Sequence, residues 1–271
     1  MKRTKAQEIR ALVVAILAVL PFLSVFFYMI LVSLQKPLDI TSGSLIPTHG
    51  LTIENFAQVL GADDFLRYIA NSLIIGACAT AFSLILGVPA AFGLAHWGMN
   101  RTASVFLLAR MLPGVALVVP WFIIATWMGM IDSYPALILA HIFVTLPFIT
   151  WMMIPFFEEL PSEMWEAALV DGATHWRYFR TVALPLVSTG VAAAAILAFI
   201  FSWNQFMFAV VLSGRKTATV PVAVFNFLSY GSNNWGQIAA AAVTITLPVV
   251  VISMFVQRWI VTGLTAGAVK G

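Results

Sequence analysis

The stretch ELPSEMWEAALVDGATHWRYFRTVALP, Glu159 to Pro185, is a polar island in a chain that is otherwise almost continuously apolar. Pro161 suits the first turn of a helix, Glu163 and Glu166 favour its positive end, and Gly172 suits the left-handed residue that closes it. The spacing therefore predicts a short helix, a turn and a second short helix. Trp165, Ala168 and Leu169 fall on one apolar face of the first, while Glu163 and Glu166 share another. In the second, Trp176 and Phe179 are apolar, Arg177 and Arg180 pair up, and Pro185 is expected to end it. Helices below roughly 12 residues are not stable alone, so both must be held by packing. Composition alone admits a plainer alternative, an interfacial helix with Trp165 and Trp176 as membrane anchors.

The chain around this island is built for lipid. Of 271 residues, 61% are hydrophobic and only 9% charged, against roughly 25% charged in soluble domains. Mean hydropathy is +0.97. A bilayer core of about 30 Å takes about 20 apolar residues of helix. Six stretches meet that length: Ala11 to Val32, Ile69 to Ala95, Ala103 to Trp127, Tyr134 to Phe156, Leu186 to Leu212, and Ile238 to Val261. Pro21, Pro89, Pro113, Pro120, Pro147 and Pro248 lie inside them and should kink several. The expected fold class is an all-α polytopic membrane protein with six transmembrane helices. Residues 1–10 form an N-terminus, 11–261 the membrane domain with the loop 157–185, and 262–271 a tail.

Basic residues orient the spans. With Lys2, Arg3, Lys5 and Arg10 in the cytoplasm, Arg101, Arg110, Arg177, Arg180, Arg258 and Lys270 also fall inside, whereas Lys36, Arg67, Arg215 and Lys216 fall outside. That bias places both termini and the loop 157–185 in the cytoplasm. The first apolar run is too long for a signal peptide and lacks an obvious small-x-small cleavage site, so it reads as an uncleaved helix. Two outer segments remain. Lys36 to Tyr68 ends in LTIENFAQVL, which suggests a short amphipathic helix, and Ser213 to Trp235 carries a polar tip at Ser232, Asn233 and Asn234.

Several function classes fall away. The net charge of +3 is too small and too scattered for a nucleic-acid surface. Cys78 is the single cysteine, and His49, His96, His141 and His175 form no H-E-x-x-H pair, so no metal site is expected. No phosphate-binding G-x-x-x-x-G-K-[ST] loop is present, so any nucleotide is bound by another chain. A membrane-embedded enzyme would need a convergent nucleophile or metal constellation. One alternative is kept, an ion-coupled secondary transporter of a small solute: the six spans carry no Asp or Glu, which weighs against proton coupling, while backbone carbonyl sites for sodium stay open.

Glu166-Ala167-Ala168, three residues, Gly172, nine residues and Val182-Ala183-Leu184-Pro185 resemble the EAA loop of permease subunits of bacterial ATP-binding-cassette importers, with Val182 in place of the usual Ile. The likeness extends over most of the chain to carbohydrate-importer permeases of the maltose-transporter type: SLQKPLDI and LTIENFAQVL, NSLIIG, FSWNQFMFA, and the ending RWIVTGLTAGAVKG. It implies a type I ABC importer permease fold with a cytoplasmic EAA coupling helix. It further implies a transport subunit and not an enzyme, with no cofactor of its own, since ATP and Mg belong to a partner ATPase.

The implied partners are a second homologous permease, two ATPase subunits, an external substrate-binding protein and the lipid of a bacterial cytoplasmic membrane, with no nucleic acid. The coupling residues would be Trp165, Glu166, Ala167, Ala168, Asp171, Gly172, Leu184 and Pro185, with Glu166 meeting an arginine on the ATPase. Gly263, Leu264, Thr265 and Lys270 in the tail would reach between the ATPase chains. For the pathway, polar residues inside spans are functional candidates by default, and Asn71, His141, Thr145, Trp203, Asn204 and Gln205 head that group. Gln205 departs from related permeases, in which this position is often acidic. The cluster Met111, Pro113 and Gly114 suggests a bend in the third span. The resemblance favours a sugar, polyol or glycerol-phosphate substrate.

Overall fold

A computed structural model describes residues 5–44, 46–61, 64–229 and 234–266. Among them every regular element is a helix, joined by one isolated bridge between Gln35 and Leu51. The elements are α1 (Lys5–Ser33), α2 (Pro37–Thr41), α3 (Glu54–Leu60), α4 (Phe65–His96), α5 (Asn100–Met111), α6 (Gly114–Trp127), α7 (Tyr134–Glu158), α8 (Ser162–Val170), α9 (His175–Tyr178), α10 (Leu184–Leu186), α11 (Ser188–Trp203), α12 (Met207–Leu212), α13 (Val220–Ser229) and α14 (Trp235–Ala266). A π turn, Phe179–Ala183, joins α9 to α10.

Three helices are long and apolar enough to cross a membrane unbroken: Ile9–Ser33, Phe65–His96 and Tyr134–Glu158. Counting two bent pairs raises the number to five among the described residues. The third span is not one helix. It breaks into α5 and α6, which meet at 84° across Leu112 and Pro113. Both breaking residues are extended, Leu112 at ψ 126° and Pro113 at ψ 123°, because proline pushes its predecessor out of the helical region and offers no N–H. The fifth span is also shorter than expected. It runs as α11 from Ser188 to Trp203, stops at Asn204 and Gln205, and resumes as α12. The last apolar stretch is helical over its whole expected length, within α14 (Trp235–Ala266).

The chain divides into two compact units. In the first, residues 1–65 and 224–247, α1 is apolar on every side and almost wholly exposed, as a lipid-facing helix would be. The loop that follows it is organised by two buried polar groups. Asp39 accepts hydrogen bonds from the backbone N–H groups of Thr48 and His49, from the Thr48 hydroxyl and from His49 Nδ1 at 2.7 Å. Those donors, the Thr48 and His49 side chains first, hold its carboxyl far below the usual range. Asn55, on the short helix α3 that the LTIENFAQVL pattern predicts, donates to the carbonyls of Ser33 and Gln35 and so ties α3 to the end of α1.

The second unit, residues 66–223 and 248–271, has two apolar cores along α4 and α7. One gathers Ile75, Leu137, Ala140, Phe208 and Leu212. The other gathers Val88, Phe92, Phe148, Met153, Phe157, Phe179 and Ala198. Along α4 the two lie roughly 20 Å apart by helix rise. Between them runs a polar seam in which Ser83 bonds Thr145 at 2.7 Å, Thr145 Oγ1 donates to the His141 carbonyl, and His141 Nδ1 shares a 2.6 Å bond with Ser202 Oγ. Small residues permit the close helix approach: a Cβ on Gly190 of α11 would sit 2.7 Å from the Phe156 ring of α7.

Candidate functional site

The elbow α8 to α10 is built as a helix, a capped turn and a distorted second helix. Pro161 is the N-cap of α8 at ψ 134°, one position before the first turn expected for it. The C-terminus closes as a Schellman motif, in which the N–H of Ala173 bonds the carbonyl of Ala168 at 2.9 Å and the N–H of Gly172 bonds that of Leu169 at 2.9 Å. Gly172 holds φ +73°, the left-handed value that its position in the sequence predicts. Thr174 then caps α9, its hydroxyl accepting from the Arg177 N–H.

Pro185 lies in the last turn of the second helix, which ends one residue later at Leu186. The chain continues through the proline as α10 and bends by 78° after Leu186 into α11. The π turn just before Pro185 is the physical reason: proline lacks an N–H and its ring crowds the carbonyl four residues back, and a wider turn absorbs both. The π turn also buries Phe179 and Ala183 in the core, leaving Arg177 and Arg180 exposed.

The inner side of α8 is narrower than expected. Trp165 and Ala168 pack on the core, with the Trp165 ring 4.5 Å from His175, 4.8 Å from His96 and 5.2 Å from Tyr178 between centroids. Leu169, expected on the same face, points outward and is 49% exposed, as is Val170 at 89%. A nine-residue helix lying on the outside of the elbow touches it along one strip only, so the remaining apolar residues face out. The outward surface therefore holds Glu163, Met164, Glu166, Ala167, Leu169, Val170 and Asp171. Leu184 is half-buried and Pro185 exposed.

The proposed pathway residues do not gather in one place. Asn71 is buried, donating to the carbonyls of Lys216 and Ala218 and accepting from the Tyr134 hydroxyl at 2.7 Å, so its amide anchors the segment 216–218. His141 and Thr145 belong to the polar seam. Trp203 is fully buried and not an interfacial anchor. Asn204 is exposed at the helix break, where its side chain donates to the Ile200 carbonyl, and Gln205 beside it is half-buried. Gly263, Leu264 and Thr265 lie on the final backbone turns of α14, and Lys270 lies outside the described residues.

Sequence reading missed Asp132. It is a non-glycine residue at φ +57°, and its carboxylate accepts from the N–H groups of Gly214, Lys216 and Thr217 and from the Thr217 hydroxyl at 2.8 Å. Burial alone would raise its pKa, but these four donors outweigh it and the net direction is downward. An aspartate near a span end gave no signal, because its partners lie more than 80 residues away. Among the described residues no group of three or more His, Cys, Asp or Glu side chains is placed to hold a metal.

Known proteins resemble this chain in sequence and in fold. Residues 83–265 match the family described as binding-protein-dependent transport system inner membrane component. The trehalose transport system permease protein SugB of Mycobacterium tuberculosis is 39% identical over 94% of this chain and 93% of its own length. The trehalose/maltose transport system permease protein MalG of Thermococcus litoralis is 33% identical over 97% of this chain and 95% of its own. In fold, a chain of a bacterial ABC transporter that imports the acidic polysaccharide alginate matches at a TM-score of 0.76 and 20% identity, covering 95% of this chain and 99% of that one. The MetNI methionine ABC transporter matches at 0.61 over 71% of this chain and 93% of its own. With its family match spanning most of its length and its relatives aligned nearly end to end, the chain belongs to the binding-protein-dependent transport system inner membrane components.

Proposed function

We propose that this chain is a permease subunit of an ATP-driven importer that carries a sugar or related polyol across a bacterial cytoplasmic membrane, and that α8 is its docking helix for the ATPase. The observation that carries the docking role is the two-sidedness of α8. Trp165 and Ala168 lock it to the core, while Glu166, Ala167, Leu169 and Val170 stand outward and exposed. A small residue at Ala167 permits close approach, and Glu166 offers a carboxylate to a cation of the partner.

In this reading the membrane part has six spans, two of them bent, with both termini in the cytoplasm. The chain pairs with a second, homologous permease, while two ATPase subunits supply ATP and Mg, and an external binding protein delivers substrate. Its relatives named for trehalose, maltose and melibiose transport support a sugar substrate. Asp171 and Gly172 set the exit of the docking helix, Leu184 and Pro185 pass its motion into α11, and Gly263, Leu264, Thr265 and Lys270 form a second ATPase contact. A docking helix rigidly tied to the spans turns ATPase closure into a change of access only if its contacts differ between states. Asn204 and Gln205 are the pathway positions best placed to meet sugar hydroxyls, while Asn71, His141, Thr145 and Trp203 hold the walls.

Glu166→Lys in the assembled transporter is the test. Charge reversal is expected to leave insertion intact and lower substrate-stimulated hydrolysis on the order of ten-fold, the span of a typical coupling energy. Unchanged stimulation would remove the docking role from α8.

A further inference from the structure

An open-sided groove of about 300 Å³ lies where the end of α4 meets the second helix of the elbow. Leu84, Val88 and Pro89 form one wall, and Leu184 and Val191 the other. Arg180 is its one ionic group, and the guanidinium sits 6.0 Å from the centroid of Trp176, which stacks in turn on Phe179 at 5.2 Å.

We propose that this groove is a binding site for an anionic phospholipid, with an acyl chain along the apolar walls and the phosphate on Arg180. Four observations select that occupant. The walls belong to a membrane-crossing helix, the elbow and α11, and the exposed apolar side chains of Ile85 in the groove (66%) and Leu186 beside it (52%) continue the apolar surface into lipid. A protein partner would bring a polar rim and hydrogen-bonding groups, yet the groove offers one polar head only. Arg180 and the neighbouring Arg177 have no carboxylate within ion-pair distance among the described residues, so their charge is open to an anion. An aromatic ring and a cation side by side at the end of an apolar slot match a headgroup above its chain.

The site has a mechanical consequence. The π turn that carries Arg180 is the joint between the capped turn of the elbow and α11. A lipid bridging Arg180 to the α4 wall braces that joint against the membrane plane.

The experiment uses the assembled transporter in phosphatidylcholine nanodiscs doped with photoactivatable phosphatidylglycerol or, separately, photoactivatable phosphatidylcholine, followed by peptide mapping. Phosphatidylglycerol should crosslink preferentially to residues 84–89 and 176–184. Arg180→Gln should lower that labelling about five-fold, the worth of one basic contact at a membrane surface, while Arg180→Lys retains most of it. Equal labelling by the two lipids, full labelling of Arg180→Gln, or no phosphatidylglycerol adduct on the groove residues, the result expected if a protein chain fills it, would each overturn the proposal. No nucleotide or sugar enters the assay, so failure here leaves the ATPase-docking reading standing, and the converse holds as well.

Discussion

Gly172 is the residue whose conformation sets the elbow. It holds φ +73° with no atom within 4 Å of where a Cβ would stand, so any substitution there is penalised by backbone torsion and not by a clash. Gly172→Ala should cost about 1 kcal/mol, Gly172→Asn less, and Gly172→Val more, because a β-branched residue is worst in the left-handed region. Thermal melts of the three variants should rank in that order, and equal melting points would mean that the turn relaxes into another form.

Asp132 offers the converse case, a side chain held in that region by what it binds. Its pKa is lowered in the folded state from the ordinary 3.8, so its contribution is complete above that value and is lost as pH falls through the lower, folded one. Melting points of the wild-type chain should therefore drop on acidification below about pH 4. In Asp132→Asn this component should be absent and the protein less stable at neutral pH by about 1 to 2 kcal/mol, since charge-assisted bonds become neutral or unpaired. Gly214→Ala should resemble it, because a new Cβ would lie 2.7 Å from that carboxylate. A melting profile that is parallel for Asp132→Asn and wild type from pH 7 to 3 would refute the assignment.

At the scale of elements, α8 depends on one large side chain. Trp165 is half-buried among His96, His175 and Tyr178, and Trp165→Ala should cost about 2 kcal/mol, less than the value for a fully buried ring. The loss should be local, so hydrogen exchange in 162–174 should accelerate while α7 stays protected; uniform acceleration would mean that α8 is part of a larger cooperative unit. The spacing of Glu166, Gly172 and Pro185 made the helix and its turn legible, because a left-handed cap and an N-terminal proline are local requirements. It did not show that Leu169 faces out or that Asn71 is saturated by 216–218. Those outcomes depend on which distant segment arrives to pack or bond, and local spacing carries no record of it. The breaks at Leu112-Pro113 and at Asn204-Gln205 lie between these cases. Pro113 announced a bend, whereas nothing in the run from Leu186 to Leu212 announced that α11 would end at Trp203.

At the scale of the whole molecule, the bent helices decide how many times the chain crosses the bilayer. If α5 with α6 and α9 to α11 each form one bent span, and α14 completes the set, the elbow and the segment near Lys216 lie on opposite sides of the membrane. The excess of basic residues near the elbow end agrees, with Arg101, Arg177 and Arg180 there against Arg215 and Lys216 at the other. If the pair α9 to α11 turned back instead of crossing, the two segments would share a side, whereas a re-entrant α5 with α6 would exchange their sides and keep them opposite. Single cysteines at Glu163 and Lys216, both exposed, can be introduced after replacing Cys78 by serine. A membrane-impermeant maleimide should then label the Lys216 cysteine in cells whose outer surface alone is accessible and the Glu163 cysteine in inverted vesicles alone. Labelling of both in the same preparation would make the pair α9 to α11 re-entrant, exchanged labelling would make α5 with α6 re-entrant, and labelling of the Glu163 cysteine from outside in either case would move the docking helix away from any cytoplasmic ATPase.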